Sequence, residues 1–482
     1  MEQQPLDQQR VGTDEWVAQH GERLERHTGL AGLTRRAVGY VPPPAQLALF
    51  AVLAASLPLW MGRGDLFVYG IFTLLYVLLG LGLNVVVGYA GLLDLGYIAF
   101  FGFGAYFYAE LSSAQYGIHW PAEASIPVIV VATALLGLLL GIPSRRLLGD
   151  YLAIVTLFFG QAFVVFVNVG NPTVHGKGLT GGPNGLADID PLDFFGYALT
   201  SRTQQFYFLL GVVVLTLAAL HFLSESRTGR AWRALREDPL AAAVMSIPVN
   251  RLKLMAFAIG AGIAGLAGCF FASLLTAVTA GNFDVPLLIT IYAIVILGGI
   301  GSLTGVVLGA IVINVSFQFL APENPQSNAR VLFYAVLLLV LVLSVRNRWR
   351  LGAVVGGVIA LGLVTQAVVE AVAPSWTGGS VVEGGRLAGV IGDWVVIPSG
   401  HGNFGNIAYV CLVAGVLILT LLRGWARTVA LVPAVYLAAI VWENAFVEQP
   451  AVARWILFGS LLVALMTVRP QGLLGTPRVE IV

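Results

Sequence analysis

Uninterrupted apolar runs recur along this chain from residue 47 to residue 468, and they constrain its fold more than any other feature. A bilayer's hydrocarbon core, about 30 Å thick, is crossed by roughly 20 apolar residues in an α-helix. No water reaches peptide groups there, so each backbone N–H and C=O must be paired by protein. A transmembrane barrel would meet that demand with strands alternating apolar and polar residues, a pattern these runs lack. The chain therefore reads as an all-α, polytopic membrane helix bundle. Charged residues make up 11% of it, against about 25% in soluble domains, which excludes an ordinary soluble fold.

The runs divide into about 14 apolar segments, at 47–62, 66–88, 90–111, 125–141, 151–169, 205–223, 253–278, 286–301, 303–320, 330–345, 351–373, 405–422, 428–447 and 454–468. Glycines break several of them, notably 90–111 and the stretch around Gly298-Gly-Ile-Gly-Ser302, so discontinuous or re-entrant helices are expected there. Counting from an N-terminus inside, six of the 26 Lys and Arg residues fall on the outer set of loops: Arg63, Lys177, Arg202, Arg330, Arg386 and Arg454. The rest fall on the inner set, which places both termini in the cytoplasm. Residues 1–46 are polar and charged, too long and too acidic for a signal-peptide n-region, and read as a cytoplasmic extension. The outer stretches 170–204 and 374–404 read as loops or as docking surfaces for an external partner.

Other function classes find little support. A net charge of +1 gives no sign of nucleic-acid binding. Cys269 and Cys411 both lie in apolar runs and read as packing residues. The histidines His20, His27, His119, His175, His221 and His401 are scattered, so neither a metal site nor a catalytic cluster is expected, and no cofactor. An ion-coupled secondary transporter needs ionisable groups within the bundle. Asp94, Glu110, Asp284, Glu370 and Glu443 are the candidates, mostly near segment ends and without an obvious basic partner.

The largest inner loop is 224–252. Its lead-in, Arg227 to Glu237, carries four arginines and Trp232, a composition suited to lying along anionic headgroups. Asp238 followed by Pro239 is an N-cap and first-turn signature. Leu240 to Ser246 then form a short helix that Pro248 stops. Its alanines permit close approach by another surface, as a coupling helix pressed against a soluble motor would require.

At this loop the sequence resembles the permeases of ABC importers, most closely the LivM-type permeases of branched-chain amino acid transporters. The likeness continues in Gly91-Leu-Leu-Asp-Leu-Gly-Tyr-Ile-Ala-Phe-Phe-Gly-Phe-Gly-Ala-Tyr106, Gly149-Asp-Tyr-Leu-Ala-Ile-Val-Thr-Leu157, Leu179-Thr-Gly-Gly-Pro-Asn-Gly-Leu186, Leu297-Gly-Gly-Ile-Gly-Ser302 and Arg469-Pro-Gln-Gly-Leu-Leu474. The resemblance implies a translocation subunit in a bacterial cytoplasmic membrane. Its partners would be a second permease subunit, two ATP-binding subunits, an external solute-binding protein and membrane lipid. The chain itself has no Gly-x-x-x-x-Gly-Lys-Ser/Thr loop for ATP. Gly229, Arg230, Arg236, Glu237, Asp238, Pro239, Ala241 and Ala242 would couple to the ATPases. As polar groups inside apolar runs, Asn84, Tyr97 and Gln161 are placed on the substrate pathway. A urea or short-amide permease is the neighbouring alternative.

The chain departs from the family pattern at Gln161 and Leu287, where an acidic residue is usual, and at Val164, where a basic one is. It is also longer by four spans. The expected division is an extension (1–46), a permease core (47–345), extra membrane segments (346–453) and a final helix with the C-terminus (454–482).

Overall fold

The computed structural model describes residues 43–113, 117–144, 150–170, 173–174, 177–319, 329–344, 348–372, 374, 387–398, 404–422 and 424–448, with isolated positions 455, 458–459, 463 and 472–474. Residues 1–42 of the expected N-terminal extension and nearly all of the expected final helix lie outside these residues. Helices dominate. By packing, the chain forms two units, Met1–Ile311 with Arg469–Val482, and Val312–Val468.

In the first unit α1 is Pro43–Trp60 and α2 is the long run Arg63–Tyr89, which carries π-helical turns at Leu66–Ile71 and Asn84–Tyr89. Then come α3 (Tyr97–Leu111), α4 (Ala122–Ser144), α5 (Asp150–Val169) and α6 (Arg202–Glu225). A short pair follows, α7 (Arg227–Glu237) and α8 (Pro239–Val244). The unit continues with α9 (Val249–Leu275), α10 (Val285–Gly298) and α11 (Leu303–Phe319), which the unit boundary crosses. Eight described helices are long and apolar enough to cross a membrane, and three shorter apolar ones accompany them.

The centre of this unit is α9, and glycine decides how closely its neighbours approach. A Cβ at Gly104 of α3 would sit 2.4 Å from the Gly265 carbonyl oxygen, and one at Gly268 2.4 Å from that of Phe101. A Cβ at Gly137 of α4 would lie 2.7 Å from the Phe257 carbonyl oxygen. Helices in lipid gain little from apolar burial between them, so such backbone-to-backbone contact supplies the dispersion energy that holds them. Cys269 is buried on this helix, whereas Cys411, expected to be a buried packing residue, is exposed.

At the end of the bundle where α3 and α9 finish, the Leu179–Leu186 motif forms a tight turn. Gly181, Gly182 and Gly185 all have positive φ, and a Cβ at Gly185 would lie 2.0 Å from the Val278 carbonyl oxygen. Leu186–Ala187 then pairs antiparallel with Ala277–Val278, just beyond α9, and Thr180 Oγ1 donates to the Val167 carbonyl of α5 at 2.9 Å. The motif is thus a fitted cap on three helix ends.

The second unit holds α12 (Ala329–Ser344), α13 (Arg348–Val372), a short α14 (Ala388–Gly392), α15 (Phe404–Leu421) and α16 (Gly424–Glu448). Leu341, Val354, Val358, Val435 and Tyr436 form its core. Glu443, which showed no basic partner in the sequence, pairs with Arg330 at 3.0 Å with both side chains buried. Tyr334 also donates to Glu443 at 3.3 Å. Arg330 lies in the first turn of α12. The two are 113 residues apart, a separation that hides the pair from sequence inspection.

Two outcomes follow from this packing. Gly265→Ala places a methyl group 2.2 Å from Thr133 Oγ1, and overpacking of that kind should destabilise the first unit by about 1–3 kcal/mol, read as a lower unfolding midpoint in detergent. Arg330→Ala leaves Glu443 buried without its cation and should cost about 3–5 kcal/mol. The double variant Arg330→Ala/Glu443→Leu should recover much of that loss in a denaturation cycle.

Candidate functional site

Residues 224–252 hold a compact helix pair at the end of α6. Ser226 accepts the Gly229 N–H at 3.3 Å and opens α7. Gly229 packs on the last carbonyls of α6, where a Cβ would stand 2.2 Å from the Ser224 oxygen. Arg230 and Arg233 donate to the Glu225 and Ser224 carbonyls at 2.7 and 3.3 Å, complementing the negative end of α6. Trp232 does not lie along headgroups as its composition suggested. It is fully buried, stacks on Tyr89 at 6.4 Å, and donates its indole N–H to the Leu252 carbonyl at 2.9 Å. Packing on the bundle satisfies both the ring and its donor, which a headgroup layer would do less completely.

Asp238 caps α8 as its sequence predicts, accepting from Leu240 N at 2.7 Å and Ala241 N at 3.0 Å, with Pro239 in the first turn. The faces of α8 differ from expectation. Ala242 is buried at 3% exposure and points into the protein, so it offers no surface to a partner. Ala241 and Glu237 are exposed. The prominent outward groups are Leu240, Val244 and Met245, at 77%, 84% and 76% exposure. The sequence carries their signal, since 240 and 244 are one helical turn apart.

Arg236 turns inward. Its guanidinium donates to the Gly88 carbonyl at 2.7 Å, and its aliphatic stem lies against Gly91, which has φ +69°. Gly88 and Gly91 flank the start of a break in the apolar run between α2 and α3. At the same place Asn84, fully buried in the second π-helical turn, accepts from Gly301 N at 2.8 Å. Gly301 belongs to the second glycine break, between α10 and α11. The C-terminal motif closes the same junction: Leu473 N and Leu474 N donate to the Leu297 and Gly298 carbonyls at 2.7 and 2.9 Å.

The first break, residues 91–96, leaves the helix, with Leu92, Asp94 and Gly96 buried and Gly91 and Leu93 exposed. Leu95 N donates to Thr156 Oγ1 of α5 at 2.9 Å, and Gly96 N to Asp94 Oδ1 at 3.0 Å. Tyr292 of α10 donates to the Asp94 carbonyl at 2.5 Å, and Tyr97, fully buried, donates to the Leu79 carbonyl at 2.9 Å. Of the expected pathway residues, Asn84 and Tyr97 thus flank the break. Gln161 is half-buried on α5, one residue beyond Gly160, whose Cβ would lie 3.4 Å from the Gly96 Cα; it makes no hydrogen bond among the described residues. Asp94, a candidate ion-coupling group by sequence, sits within this break. No group of three His, Cys, Asp or Glu side chains among the described residues could hold a metal ion.

A polytopic helix bundle with interrupted spans and a capped helix pair at one end has the build of a membrane transport subunit. Residues 67–341 match the family described as "Branched-chain amino acid transport system / permease component", and the chain belongs to it. The LivM high-affinity branched-chain amino acid transport system permease protein of Salmonella typhimurium is 36% identical over 305 residues, covering 58% of this chain and 69% of its own length. A probable LivM permease of Methanocaldococcus jannaschii is 24% identical over 316 residues, 55% of this chain and 88% of its own. The LivH permease protein of Salmonella typhimurium is 26% identical over 161 residues, 33% and 51%. No solved structure shows significant similarity.

Arg236→Met keeps the stem against Gly91 but leaves the buried Gly88 carbonyl without its charged donor. A loss of about 1.5–3 kcal/mol is expected, the range for hydrogen bonds to charged groups, measured by denaturation of the purified protein.

Proposed function

We propose that this chain is a permease subunit of a bacterial ABC importer for branched-chain or related amino acids. In this reading it spans the cytoplasmic membrane about 14 times with both termini inside. It pairs with a second permease subunit and two ATP-binding subunits, and receives substrate from an external solute-binding protein. The observation that carries the coupling role is the α7–α8 pair. A motor that closes on ATP must push on something rigid. Here α8 is fixed by the Asp238 cap, α7 is locked by Trp232, and Arg236 ties the pair to the carbonyl that precedes the first break. Force applied at α8 has a direct route to the interrupted spans.

The contact with the ATPase is assigned to Leu240, Val244 and Met245, with Glu237, Pro239 and Ala241 beside them. Burying such side chains is worth about 1.5–3 kcal/mol each, enough for three of them to anchor a subunit. Gly229, Arg230, Arg236 and Ala242 serve coupling from behind, by holding the pair in place.

The test is Val244→Asp. The side chain is 84% exposed, so membrane insertion and the unfolding midpoint should stay as in the parent protein. Copurification of the ATP-binding subunits should fall at least tenfold, and uptake of radiolabelled leucine with it. Normal copurification and uptake would remove α8 from the interface.

A further inference from the structure

The interrupted span contains a carboxylate that the fold leaves half used. Asp94 is fully buried. Its Oδ1 accepts from Gly96 N at 3.0 Å, forming the turn that leads into α3. Its Oδ2 is buried with no hydrogen-bond partner. Among the described residues the ion pairs are His119–Asp190 and Arg330–Glu443, and neither involves Asp94. The hydroxyls nearest in the argument are committed elsewhere, Tyr292 to the Asp94 main chain and Tyr97 to the Leu79 carbonyl.

Depth matters as well. Thr156, which supports the break, lies six residues into α5, and Tyr292 lies six residues before the end of α10. At 1.5 Å per residue, each is about 9 Å in from its helix end. The carboxylate therefore lies inside the bundle, where an acid oxygen with no partner is expensive and marks function rather than packing. Broken helices bring irregular backbone and a helix start to the place where a transported solute passes. The start of α3 at Tyr97 is such a point, and Asp94 is aimed there by its own turn.

Resting on the amino-acid permease reading above, we propose that Asp94 Oδ2 receives the α-ammonium group of the amino acid in transit. The chemistry fits the open valence. An ammonium brings three donors and a positive charge, and Oδ2 is an acceptor that lacks both a donor and a counter-charge. A branched aliphatic side chain would then face the apolar and aromatic surroundings of the break. The carboxylate is closed off from solvent in this arrangement, so the ammonium meets it only when the two halves of the broken span separate.

Asp94→Asn tests this in the complete transporter, reconstituted in proteoliposomes with its ATP-binding subunits, second permease and solute-binding protein. Asparagine can still accept from Gly96 N through its Oδ1, so the turn survives while the charge and the second acceptor are lost. The expected result is intact assembly, retained ATP hydrolysis stimulated by leucine-loaded binding protein, and leucine uptake reduced at least tenfold. Asp94→Glu, which keeps a carboxylate one methylene farther out, should transport at an intermediate rate. Parent-like uptake by Asp94→Asn would reduce Asp94 to a turn residue and overturn the proposal. Failure of both variants to assemble would assign the carboxylate to folding and overturn it equally. A parent complex that moves no amino acid would instead fail the permease reading itself, independently of Asp94.

Discussion

Every peptide group within a bilayer must find a partner in the protein, and the first unit depends on how this rule is met where its helices stop. Two spans are interrupted, at 91–96 and at 299–302. The groups that repair them come from several distant segments. Thr156 accepts from Leu95 N, Asp94 from Gly96 N, and Asn84 from Gly301 N. Arg236 donates to the Gly88 carbonyl, and the turn at Gly472 presents Leu473 N and Leu474 N to the carbonyls that end α10. Five family-like sequence pieces thereby converge on one junction. Gly472 has φ +73° and a Cβ there would lie 2.5 Å from the Ile296 oxygen, so the turn demands glycine.

Breaks of this kind are costly unless fully supported, and their support gives them two discrete neighbours to lean on. One is the central helix α9, whose glycines let α3 and α4 come within backbone contact. The other is the α7–α8 pair, whose single inward arginine touches both glycine-rich turns: its stem packs on Gly91, and a Cβ at Gly301 would come within 2.7 Å of its Nη1. A displacement of α7 must change the environment of Gly88, Gly91 and Gly301 together. A few tightly packed atoms thus link the exposed apolar ridge of α8 to the irregular backbone at the two breaks.

The second unit follows a different logic. Its described helices are held by a small apolar core and by polar groups buried between helices: Arg330 with Glu443 and Tyr334, and Tyr436 with Thr365 and the Trp394 carbonyl. A buried ion pair of this sort is weak support for net stability but a strong filter against misregistered packing. Residues 329–344 belong to this unit although the family match extends to 341.

Much of this was legible in the sequence because its causes are local. Apolar runs declare membrane helices, the Asp238-Pro239 pair declares the start of α8, and the glycines at 91, 96, 299 and 301 announce breaks in otherwise apolar segments. Side-chain direction was not legible. Ala242 and Ala241 are neighbours of one type, yet one is buried and the other exposed, because only the docking of α7 through Trp232 fixes the rotation of α8. Nothing within the segments of Trp232, Arg236 and Glu443 reveals the Leu252 carbonyl, the Gly88 carbonyl or Arg330 as their partners. Among the described residues, the sequence by itself indicated the apolar helical stretches, the glycine breaks between them and the family they resemble. The tertiary structure alone decided which polar groups pair across those stops, and which, like Asp94 Oδ2, are left open, because hydrogen-bond partners in a bundle come from segments tens to hundreds of residues apart.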